Sequence, residues 1–187
     1  MHAPSLFRTS TLGSAIVLAM ATAPLSAFGA AADTRTPEAI DVQVALERVC
    51  LPLLKGKTVN QVARPADLKH DDSGWYLAMP GAERLSVQPP GGANPTVCSF
   101  KVTYPVDRPQ PILALLNLWA KDHHLTPASV ARASTGPAEQ RKTWSWQGRN
   151  AGAALAVVFD TEKTLDGRPV GGSLDRATVL VSRQASA

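Results

Sequence analysis

Thr96-Val97-Cys98-Ser99-Phe100-Lys101-Val102-Thr103-Tyr104 alternates large and polar residues with a period of two. That period sets Cys98, Phe100, Val102 and Tyr104 on one face of a strand, with Ser99, Lys101 and Thr103 on the other. Upstream, Thr36-Pro37-Glu38 reads as a helix start. Thr sits at the cap, Pro at the first helical position, and Glu beside the positive end of the dipole. Val42, Ala45, Leu46, Val49, Cys50 and Leu53 then recur as one buried helix stripe, and Pro52 and Gly56 are expected to end it. The chain has two cysteines, and each falls on the inward face of its element. A Cys50–Cys98 bridge would clamp the helix onto the sheet and contribute about 4 kcal/mol in the chain-entropy account of such loops. No C-x-x-C pair is present, so the pattern favours a structural staple over redox chemistry.

Outward from that strand, Lys57 to Asp72 reads as a polar connection ending in the turn Asp71-Asp72-Ser73-Gly74. Gly74-Trp75-Tyr76-Leu77-Ala78-Met79 and the alternation around Leu85 and Val87 predict two strands before the Cys98 strand. Asp107-Arg108-Pro109-Gln110 resembles a capping box. It introduces a second helix whose buried stripe is Ile112, Leu115, Leu116 and Trp119. Another polar connection, to Pro137, leads to strand candidates at 142–146, 153–159 and 177–182. The order is αβββαβββ. Pro37 to Trp75 spans 38 positions and Pro109 to Trp144 spans 35, a weak two-unit repeat. The expected fold is α+β, with two helices on one face of a mainly antiparallel sheet of about six strands.

The 187 residues carry 19 Lys+Arg against 15 Asp+Glu. Arg8 precedes an apolar run from Leu12 to Ala27, and small residues follow from Gly29 to Ala32. This layout predicts a signal peptide over 1–31, cut after a residue between 29 and 32. Pro24 and the short apolar run argue against a retained anchor. Residues 32–187 would then form one disulfide-stapled domain in the periplasm or outside the cell, with no membrane span. Without Arg8 the mature chain holds 18 basic residues, a net charge of +3. They are scattered, and a nucleic-acid partner is not expected.

Few groups suggest chemistry. His123 and His124 are adjacent on a helix end, about 100° apart, which does not suit a shared metal. His70-Asp71-Asp72 places an imidazole and two carboxylates before a strand, but paired acids in a turn are ordinarily solvated. No G-x-S-x-G, S-x-x-K or H-E-x-x-H pattern occurs, and no cofactor, metal or catalytic residue is assigned. Trp75, Trp144 and Trp146 would form an aromatic ledge if they faced solvent. The polar neighbours Thr143 and Ser145 place the last two in the core instead. The leading expectation is a non-enzymatic module that binds an envelope or secreted protein. The alternatives are a hydrolase or metal-dependent enzyme using His70, Asp71 and Asp72, with His123 as a further candidate, and a protein inhibitor of a secreted enzyme.

Overall fold

The computed structural model describes residues 36–78, 84–136, 139–150, 152–170 and 172–185. The expected signal peptide lies outside them. The stripe that marks the first helix is buried along its whole length, with Val42, Ala45, Leu46, Val49 and Cys50 fully inaccessible. This helix runs as α1 (Pro37–Val44), a π segment (Ala45–Cys50) and α2 (Leu51–Leu54). Pro52 does not end it. The proline offers no N–H, and the turn ahead of it takes π spacing. Gly56, at φ +92, closes the helix. Thr36 is extended as a cap residue, yet its hydroxyl makes no capping bond.

The polar stretch after Gly56 is more ordered than expected. It forms α3 (Val59–Ala66), which opens with a capping box. The Thr58 hydroxyl accepts from the Gln61 N–H, and the Gln61 side-chain carbonyl accepts from the Thr58 N–H. β1 (Leu68–Asp71) follows, then β2 (Gly74–Leu77), β3 (Leu85–Gln88) and β4 (Val97–Pro105). α4 (Gln110–Asp122) leads to β5 (Leu125–Gly136), β6 (Glu139–Asn150), β7 (Ala153–Thr164) and β8 (Leu174–Ala185). The sheet therefore has eight strands rather than six. All pairs are antiparallel, in the order β1-β2-β3-β4-β8-β7-β6-β5. Both unexpected strands, β1 and β5, are edges. Neither carries the apolar alternation that marks a half-buried strand.

Each half is a helical layer followed by a four-strand meander, and the last strands of the two meanders meet as β4 and β8. One row of the register, Cys98↔Val181↔Val157↔Trp146, crosses that seam. Cys98 bonds Cys50 of the π segment, with their Cα atoms 5.5 Å apart. The Trp146 indole N–H donates to Asn117 of α4 at 2.9 Å. Helices from both halves thus cover one face, and the core lies between them and the sheet. Where α4 turns into β5, only glycine fits at 148. A Cβ there would sit 2.5 Å from the His124 carbonyl oxygen. No helix among the described residues is long and apolar enough to cross a membrane.

Asp41 is an ionisable group inside this core, 4% exposed on α1. Burial, and next the Glu38 carboxylate, push its pKa up to about 6. The folded state holds this proton more tightly than the unfolded chain between about pH 4 and 6. The group therefore costs nothing below pH 4 and about 2–3 kcal/mol once pH exceeds 6. Asp41→Asn should raise stability by about that amount at pH 8 and leave it unchanged near pH 3.5, as read by urea denaturation at both values. An equal effect at the two pH values would contradict this.

Candidate functional site

The helix-covered face is not covered along its whole length. β6, β7 and β8 each run for 12 residues, about 40 Å of strand. α4 has 13 residues, about 20 Å of helix. Beyond the start of α4 no helix among the described residues covers the sheet, and a groove of about 720 Å³ opens there. Trp144, Thr161, Tyr104 and Asp175 form its floor, Gln110 and Leu113 of α4 one wall, and Gln140 and Leu165 the other. The Gln140 amide ties that second wall together by donating to the Leu165 carbonyl at 2.5 Å.

The strands change character where the helix stops. On the helix side of β7 the residues run Leu155, Val157, Phe159 and then Thr161, Lys163. On β8 they run Val181, Val179, Ala177 and then Asp175. Asp175 is 1% exposed. Its Oδ2 accepts the Asp107 N–H at 2.7 Å and lies 3.2 Å from the Lys163 ammonium. Lys163 also donates to Asp107 Oδ1 at 2.5 Å. Asp175 Oδ1 has no hydrogen-bond partner among the described residues. Burial works against the Lys163 cation, but the bonds to Asp107 and Asp175 outweigh it and hold the pKa above the ordinary lysine value. The Tyr104 hydroxyl is kept neutral, raised first by burial and then by the Asp175 and Asp107 charges. At the groove mouth, Lys142 holds its ammonium 4.5 Å over the Trp144 ring, and Trp144 leans on Phe159 at 5.7 Å.

The residues singled out in the sequence do not converge. His70, Asp71 and Asp72 lie at the tip of the β1–β2 hairpin. His70 packs on Trp75, 4.7 Å between ring centres. Asp71 accepts the Ser73 N–H at 2.8 Å and pairs with Arg84 at 2.5 Å; these bonds, the Arg84 one foremost, hold its carboxyl well below the usual range. His123 ends α4 and meets Glu47 of the π segment at 3.0 Å, where Trp119 also donates at 2.5 Å. No group of three or more His, Cys, Asp or Glu suited to a metal occurs among the described residues. The three tryptophans share the helix-covered face but form no ledge. Trp146 is 3% exposed, and Trp75 on β2 stands five strand spacings from β6, about 24 Å. Trp144 alone of the three lines the groove.

Asp107 is the correction with most consequence for the site. It does not cap α4, whose cap position is Pro109 with no side-chain bond. Instead it adopts φ +59, and it locks Lys163 and Asp175 together. The legible signal was the switch from apolar to polar residues on one face of β7 and β8.

Replacing Lys163 with Met should leave the Asp175 carboxylate buried and unpaired, lowering stability by about 3–5 kcal/mol. Adding Asp175→Asn should recover at least half of that loss in thermal or urea melts, because the amide oxygen can still accept the Asp107 N–H. Additive losses in the double variant would show that the pair does not act as a unit. No family model matches the chain, and no curated protein or solved structure is significantly similar to it.

Proposed function

We propose that the protein is an exported, non-enzymatic binding module of the cell envelope and that its binding site is the groove beyond the start of α4. The observation that carries this reading is the groove itself: a concavity of about 720 Å³ with Trp144 and Leu113 beside a few fixed polar groups. Its size falls in the range of sites for small ligands. Its titratable groups suit binding, with Lys163 held as an ammonium and Tyr104 as a phenol that can donate a hydrogen bond. The Cys50–Cys98 bond fits an oxidising compartment, and the amino-terminal layout Arg8, Leu12 to Ala27, Gly29 to Ala32 supplies a route there.

A second reading, inhibition of a secreted enzyme, is favoured by the opposite face. Ser99, Leu180, Val158, Ser145 and Ser129 form one row across five strands there. α1, α2 and α4 all lie on the other side.

Two measurements test these readings. Fractionation of cells expressing the full chain should recover it outside the cytoplasm, beginning at a residue between 30 and 33 and without alkylatable thiols. A cytoplasmic chain with an intact amino terminus would refute export. Titration of the labelled mature chain with a panel of aromatic amides, carboxylates and amines should shift the Trp144 indole resonance with those of Leu113 and Thr161. Shifts confined to Ser145, Val158 and Leu180 would move the site to the open face.

A further inference from the structure

Within the groove, three cations stand close to one another in the fold, and their partners differ. Lys163 is shared between Asp107 and Asp175, at 2.5 and 3.2 Å. Arg141 sends its guanidinium to the opposite face, 2.8 Å from Asp160 and 3.8 Å from Glu162. Lys142 differs from both: no carboxylate among the described residues pairs with it, and its ammonium packs on the face of Trp144. A cation over an aromatic ring is held by about 1 kcal/mol, so it remains available to an anion.

The register fixes where the Lys142 backbone lies relative to the rest of the groove. Lys142 pairs with Thr161, which pairs with Ala177, and Asp175 lies two residues further along β8 on the same face. Two strand spacings and one two-residue step separate them, about 12 Å. The groove is therefore polarised. Its mouth carries a cation on an apolar floor, and its deep end carries the Asp175 carboxylate, with an oxygen that accepts no bond.

We infer that the groove binds a small amphipathic monoanion, its apolar body against Trp144 and Leu113 and its carboxylate on the Lys142 ammonium. The inference rests on the groove being the binding site and adds the charge and orientation of the ligand. At the deep end the Asp107 and Asp175 carboxylates outnumber the Lys163 ammonium, and this net negative charge keeps the head group at the mouth. A second negative charge would find Lys163 already matched by two carboxylates, which disfavours dianions. A cationic ligand would have to approach Lys142 or displace Lys163 from its partners.

The experiment compares three probes with one body and different heads: 4-phenylbutyrate, 4-phenylbutanamide and 4-phenylbutylamine. Each is titrated into the full mature chain by calorimetry, with tryptophan emission as a second readout. The carboxylate should bind at least tenfold tighter than the amide, and the amine more weakly than both. Lys142→Met should abolish the tenfold advantage of the carboxylate over the amide, and Lys142→Arg should keep it. Thermal melts confirm that both variants fold. Equal affinity for the three heads, or an advantage that survives Lys142→Met, overturns the charge inference and leaves the groove as a neutral site. Preference for the amine overturns it in favour of Asp175 as the recognising group. No heat and no change in emission with any probe overturns both the inference and the groove reading beneath it.

Discussion

Nine residue pairs along β4 and β8, from Val97↔Ser182 to Pro105↔Leu174, join two meanders that are otherwise separate. The rest of the architecture depends on this seam. It makes one eight-stranded sheet out of two four-stranded ones and brings the helices of both halves onto a common core. Phe100, Val179 and Phe159 lie side by side across it, each at most 1% exposed. The Cys50–Cys98 bond attaches the first helical layer directly to a seam strand. Each half alone would expose its share of that apolar surface.

The groove follows from the same arrangement through a mismatch of lengths. Long strands in the second half are matched with a helix that reaches half as far, and the remainder of the face must be finished with polar side chains. Asp107, Lys163 and Asp175 do this together: the Lys163 ammonium pairs the buried Asp175 carboxylate and shares the Asp107 carboxylate, so Asp175 is not left without a counter-charge. Lys142 and Trp144 complete the face nearer the edge, where solvent reaches both.

Residues that alternate or recur with burial were the readable ones. The helix stripe from Val42 to Leu53, the Cys98 strand, the α4 stripe and the Cys50–Cys98 pairing all came from apolar spacing. Edge strands β1 and β5 were hidden because Lys69, His70 and the polar residues of β5 serve no buried face. α3 was hidden in a polar stretch, although Thr58 and Gln61 carried its capping signal. The candidate site was largely illegible. Asp107 has the residue type of a helix cap, and only the third dimension brings it to Lys163 and Asp175, 56 and 68 positions away. Trp144 was found, but its separation from Trp75 depends on strand order, which periodicity does not encode.

The sheet ends in β5, a 12-residue edge with Val130 64% exposed. An edge of that length is a template on which another chain can add a strand, and aggregation begins this way. Pro127 has no N–H to offer, and register irregularities fall between Pro127 and Ser129 and between Ser134 and Gly136. They leave Ser129 to Ser134 as the longest unbroken ladder of this edge. The irregularities thus interrupt this edge on both sides of Val130, which works against the addition of a long strand there.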